Sequence, residues 1–316
     1  MKALVNTGPD RVELLERPTP VPGPGQVRIR TVACGICATD LEMIHGWERT
    51  AFGAIPGHEW SGIIDAVGSA ADSALIGQPC VAENVLSDGG EVGFEHPGGY
   101  AQYLLTQARN VQLLPSDFPL HAGALIEPLA VCIRGLRRLR LENRTSALII
   151  GDGSIGLIML QLLKYHGVGS VTVVGARAAR MELARSLGAA AVLDHALLAS
   201  DVPGGPFPSV IEATGSAAGM AMGISAAARG GKILVVGDYR SARAEFPWNT
   251  MIHRELELIG TNASAGAWPE AVRMATTGII PLARLISRQI PAEHGAEAID
   301  LVRRSTDLIK IILDWN

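Results

Sequence analysis

The sequence predicts an α/β chain built on a doubly wound parallel sheet, with a second, mainly-β unit formed by the flanking segments. Three observations predict it. Between about residues 128 and 262, apolar strand-like runs alternate with Ala/Leu-rich helical patterns. One of those runs leads into Gly151-Asp152-Gly153-Ser154-Ile155-Gly156, a glycine-rich turn that opens a helix. The first 110 or so residues carry short β-branched runs broken by Gly and Pro. A chain of 316 residues is also too long for one ordinary core.

The elements follow in order. Residues 27–32 alternate Val, Arg, Ile, Arg, Thr, Val, as a half-buried strand does. Residues 63–67 and 81–82 read as further short strands bounded by Gly or Pro. The parallel strands are expected at 146–150, 171–174, 190–193, 210–211 and 232–236, with helices at 155–165 and 178–187. The tail returns to mixed character, helical at 292–304 and strand-like at 308–313.

Composition narrows the function classes. Hydrophobic residues make up 48% and charged residues 18%, a composition that buries a core. A net charge of −4 and a pI near 6.1 offer no basic footprint for nucleic acid or an anionic membrane. The most apolar stretch, 147–163, is interrupted by Gly151, Asp152, Gly153, Ser154 and Gly156, so no bilayer span is expected. Lys2 is followed by only three apolar residues before Asn6, which does not read as a signal peptide. Four cysteines without an export signal point to metal binding or burial rather than disulfides, and to a cytoplasmic protein.

The glycine turn has the mechanics of a dinucleotide site. Gly151 permits the tight turn, Gly153 lets backbone approach a pyrophosphate, and Gly156 allows close packing of helix on strand. The helix start at Ser154 and Ile155 supplies free N–H groups for the anion. The second strand ends at Gly175, where NAD-binding versions carry an acid for the ribose hydroxyls; here it reads Gly175-Ala176-Arg177.

Three polar clusters suggest a metal: Cys34-Gly-Ile-Cys37-Ala-Thr39-Asp40, Gly57-His58-Glu59 and Glu127-Pro128-Leu129. One thiolate, one imidazole and one or two carboxylates suit a zinc ion with an open position. CxxC occurs once, which excludes a zinc ribbon. Cys34, Cys80 and Cys132 have apolar neighbours and are expected to be buried.

Taken together, GICATD, GHE, EPLAV and GDGSIG resemble the zinc-containing medium-chain dehydrogenase/reductase family, in its sorbitol and glucose dehydrogenase-like branch. The resemblance extends to the EATG turn at 212–215, the GGKILVVG strand at 230–237 and the tail. It implies a GroES-like mainly-β catalytic domain, 1–128 and 264–316, around a Rossmann domain, 129–263. It implies one catalytic zinc on Cys37 and His58, with Glu59 or Glu127 completing the set and Glu59 able to exchange with water. Thr39 matches the hydroxyl that contacts the substrate oxygen, and Asp40 the carboxylate that orients the zinc-bound histidine. Thr214 of the EATG turn joins the cofactor-binding set, and Lys310 matches a basic position that reaches the cofactor phosphates.

The chain also departs from the family. Residues 84–99 lack the four cysteines of a structural zinc lobe, Ala38 lacks a pyrophosphate-binding basic side chain, and Glu42 stands where many members have a relay histidine. The end of the second strand resembles the GSR segment of NADP-linked members. Gly175 is expected to leave room for a 2′-phosphate that Arg177 and Arg180 would meet, giving NADP preferred and NAD accepted. The resemblance implies a secondary alcohol, polyol or sugar substrate, no macromolecular partner beyond a homodimer or homotetramer, and a pocket near Trp47, Phe52 and Phe94. Two alternatives stand beside it: a zinc-independent quinone or enone reductase, and a non-catalytic nucleotide-binding protein that keeps the fold.

Overall fold

The computed structural model describes residues 1–198, 202–240, 242, 243, 245 and 248–316. It divides into two units, Met1–Glu127 with Trp268–Asn316, and Pro128–Ala267.

In the first unit, the strand Gln26–Gly35 lies at the centre of a seven-stranded sheet. Its first half alternates, with Val27 and Ile29 fully buried; beyond Arg30 every residue is buried, because both faces are covered. On one side it pairs antiparallel with Glu59–Val67, so that Gly35 faces Glu59. On the other it pairs antiparallel with the tail strand Lys310–Asp314, so that Ile312 faces Gly35. Tyr103–Gln107 also pairs with its first half. The core beneath is carried by Trp60, Tyr100, Ile29, Ile64 and Leu104, each burial worth roughly 1.5–3 kcal/mol for an aliphatic or Phe-sized side chain. The hairpin Lys2–Gly8 with Arg11–Glu16 and the parallel partner Ile286–Pro291 of the tail strand carry no strong sequence signal.

The second unit holds six parallel strands. The first, Ser146–Ile150, is flanked by the second, Ser170–Gly175, then the third, Ala191–Asp194. On its other side come the fourth, Phe207–Glu212, the fifth, Ala227–Val235, and the sixth, Glu257–Gly260. The spatial order 3-2-1-4-5-6 is that of the Rossmann fold, with its switch point between the first and fourth strands. Ala147 to Ile150 are buried on both faces, which is why they form a continuous apolar run rather than an alternation. The helix Ser154–Tyr165 starts at Gly153, and a Cβ at Gly156 would overlap the Gly151 carbonyl oxygen. No helix among the described residues is long and apolar enough to cross a membrane.

Candidate active site

At the end of Gln26–Gly35 the chain turns through Ile36 into the helix Ala38–His45, with Cys37 as its N-cap. Asp40 returns a hydrogen bond to this turn, accepting from the Cys37 N–H at 2.8 Å, and so fixes the thiol. The same fully buried carboxylate accepts from Nδ1 of His58 at 3.2 Å and from the Tyr100 hydroxyl at 3.2 Å. With Nδ1 taken by Asp40, Nε2 of His58 is the nitrogen left for a metal. Burial opposes a charge on His58, yet Asp40 and Cys37 raise its pKa well above the ordinary histidine value. Glycine at 57 is required: its φ is +101°, and a Cβ would press within 2.8 Å of Tyr100 and of the Cys34 sulfur. Asn84 braces the next residue by donating to the His58 carbonyl at 2.7 Å.

Cys37, His58 and Glu59 each present a ligand atom within 4.8 Å of the others. Ligands sharing one tetrahedral zinc sit about 3.5 Å apart, so small rotamer changes close the set. The thiol, imidazole and carboxylate form a donor set that fits zinc with room for a substrate oxygen. Glu59 is held by Lys310, whose ammonium lies 2.7 Å from both carboxylate oxygens; the two side chains are 2% and 3% exposed. Burial works against the Lys310 charge, but Glu59 raises its pKa above the ordinary lysine value. Gly35 makes room for this arrangement, since a Cβ there would overlap a Glu59 oxygen. Glu127, at the start of the helix Ile126–Leu139, feels the same cluster: desolvation pushes its pKa up to about 7, opposed by His58 and Lys310. Thr39 Oγ1 lies 3.7 Å from the Cys37 sulfur, partly exposed beside the cluster.

The imidazole of His58 stacks against Phe94, with ring centroids 4.8 Å apart. Arg49 covers the other side of Phe94 at 4.3 Å and forms ion pairs with Glu91 at 2.9 Å and Glu95 at 2.6 Å. Trp47 meets Phe94 edge-on at 6.3 Å, while Phe52 is 51% exposed. The backbone of this loop presses on the metal-side turn: Gly98 N–H donates to Ile55 and Gly99 N–H to Gly57.

In the second unit the glycine turn and the EATG turn meet. Gly151 has φ +120° and packs against Ala213 and Thr214. The fully buried Glu212 carboxylate accepts from the N–H groups of Thr214 (2.9 Å) and Gly215 (3.2 Å), from the Thr214 hydroxyl, and from the Tyr239 hydroxyl (2.6 Å). Asp152 reaches across to the end of the second strand, accepting from the N–H groups of Ala176 (2.8 Å) and Arg177 (2.9 Å).

Two family descriptions match the sequence: an alcohol dehydrogenase GroES-like domain over residues 23–116 and a zinc-binding dehydrogenase over residues 154–277. The chain is 30% identical over 309 residues to D-altritol 5-dehydrogenase of Agrobacterium fabrum, covering 89% of this chain and 90% of that one. The chain belongs to the zinc-containing medium-chain alcohol and polyol dehydrogenase family. A zinc-binding dehydrogenase of Sinorhizobium meliloti solved with NADP superposes with a TM-score of 0.91 at 26% identity, covering 99% of this chain and 98% of that one. An Escherichia coli alcohol dehydrogenase (rspB) solved with NADH shares the fold, with a TM-score of 0.90 at 24% identity over 100% of this chain and 99% of that one.

For this family member the structure shows what surrounds two of the expected cofactor residues. Lys310, expected at the cofactor phosphates, is paired with Glu59, because the tail strand and the Glu59 strand flank Gln26–Gly35. At Gly175, expected to leave space for a 2′-phosphate, a Cβ would come within 2.7 Å of the Asp152 carboxylate and 2.8 Å of the Met181 side chain. Cys34, Cys80 and Cys132 are buried. Sequence reasoning missed Tyr100, Arg49, Glu91, Glu95 and Asp152. Of these only Asp152 had a signal, since an acid between two site glycines is an expensive choice of residue.

Proposed function

We propose that this chain is a zinc-dependent dehydrogenase that oxidises a secondary alcohol of a polyol or sugar with a nicotinamide dinucleotide, and reduces the matching ketone. The observation that carries this reading is the convergence of Cys37, His58 and Glu59, with Asp40 bonded to the far nitrogen of the imidazole. Zinc, when bound by Cys37, His58 and a carboxylate from Glu59 or Glu127, would polarise the alcohol oxygen and lower its pKa, and the nicotinamide would accept the hydride.

The chain's own groups do the rest. Thr39 Oγ1 takes the hydroxyl proton and passes it outward. Asp40 holds the His58 tautomer, and Phe94 shields one face of the ring from water. Lys310 pairs with Glu59 and would compete with a bound zinc for that carboxylate, so it would set how readily Glu59 joins the ligand set. The polyol class is supported by the name of the D-altritol relative and by the carboxylate-rich donor set. A homodimer or homotetramer is supported by the outer strand Glu257–Gly260 at the sheet end and by exposed Trp248 and Ile252. Light scattering checks the assembly, and a monomer would refute it.

The function is tested by metal analysis with a panel of polyols, sugars and simple alcohols. One zinc per chain and zinc-dependent polyol oxidation are expected. Two tightly bound zincs, or full turnover in Cys37→Ser, would sink the reading.

A further inference from the structure

We propose that Asp152 selects the dinucleotide: its carboxylate fills the anion-accepting turn at the end of the second parallel strand and disfavours a 2′-phosphate, so that NAD(H) binds ahead of NADP(H). This rests on the reading of the Rossmann unit as a nicotinamide site.

In such folds an acid ending the second strand accepts the ribose hydroxyls, whereas an arginine with no acid accommodates a 2′-phosphate. Residues 175–177 contain no acid. The structure supplies one from another element. Asp152, the second residue of the glycine turn, is 6% exposed and directs Oδ2 at the Ala176 and Arg177 N–H groups, 2.8 and 2.9 Å away. Its Cβ and Oδ2 occupy the space that a side chain at 175 would need, 3.0 and 2.7 Å from a Cβ built there. The glycine and the aspartate are therefore one device, in which the acid of the second strand has moved to the turn after the first.

Two consequences follow for a ligand. The two amides that would cradle a 2′-phosphate already hold a carboxylate, and a second anion beside it meets like charge. Arg180 directs Nη1 toward the other oxygen, Asp152 Oδ1, at 3.9 Å, so its charge balances the aspartate. Arg177, the other cation at this turn, is exposed, where solvent and salt weaken its pull on a phosphate.

The test separates charge from bracing, because Asp152→Asn keeps an acceptor oxygen for both amides while an uncharged NH2 group replaces the oxygen that faces Arg180. Fluorescence titration of NADH and NADPH reads binding without metal or turnover. Wild type is expected to bind NADH about tenfold or more tightly than NADPH, and Asp152→Asn to shift that ratio toward NADPH by about tenfold. Wild type favouring NADPH, or a ratio unchanged in the variant, overturns the proposal; the second result would make Asp152 a brace alone. Wild-type competition by AMP and by adenosine 2′,5′-bisphosphate needs no variant. The added 2′-phosphate should weaken binding, and stronger binding by the bisphosphate overturns the proposal even if Asp152→Asn fails to fold. Failure of every nucleotide and fragment to bind would instead overturn the cofactor reading, and the proposal with it.

Discussion

Lys310 and Glu59, 251 residues apart in sequence, form a buried ion pair in which one ammonium touches both oxygens of one carboxylate. The pair exists because Gln26–Gly35 has the tail strand on one side and the Glu59 strand on the other, and because Gly35 between them has no side chain. Breaking a buried pair by removing one partner costs about 3–5 kcal/mol, since the other charge is stranded. A metal ion offers Glu59 a second partner. Lys310→Met is therefore expected to lower the melting temperature of chelated protein strongly and that of zinc-loaded protein much less. Calorimetry on both forms checks it, and equal losses in the two would mean that Glu59 does not turn to the metal.

Thr39 sits beside the Cys37 sulfur with its hydroxyl partly exposed. Thr39→Ala is expected to lower kcat by about 10²–10⁴-fold, the usual range for a lost acid–base group, with little change in dinucleotide affinity. Thr39→Ser should restore most of the turnover. Near wild-type kcat in the alanine variant would place the proton path elsewhere.

Glu212 is a buried carboxylate that satisfies two backbone N–H groups and two hydroxyls around the EATG turn. Glu212→Ala leaves those donors without their acceptor, at about 1–3 kcal/mol for each buried group that finds no substitute. A stability loss of several kcal/mol is expected in denaturant titration, with weaker nucleotide binding through displacement of Thr214 from Gly151. A loss below about 1 kcal/mol would mean that water replaces the carboxylate.

What was legible in the sequence was local. The glycine turn announces itself because strand, turn and helix follow within twenty residues, and each glycine has a steric reason. Cys37, His58 and Glu59 were legible through short motifs. The strand at 227–235 begins five residues before the apolar run that signals it, and Arg229 and Gly230 in its first part are exposed. The pairing of Lys310 with Glu59 was not legible, because strand pairing across 251 residues leaves no local trace. Arg49, Glu91 and Glu95 look like ordinary surface charges until the fold brings them together. The carboxylate beside Gly175 was not legible because it comes from the glycine turn, 23 residues earlier in the chain.

The Arg49 clasp over Phe94 has a practical corollary. It adds charge and ring contact to the backbone hydrogen bonds that hold the loop against the His58 turn, and residues 84–99 bring no cysteine to the fastening. Chelators and mild oxidants therefore have nothing to grip there, and cycles of zinc stripping and reloading should return full activity. Concentrated salt is the agent to which it is vulnerable: Arg49 and Glu95 are about one-third exposed, within reach of screening ions. Purification in high salt would loosen what EDTA leaves intact.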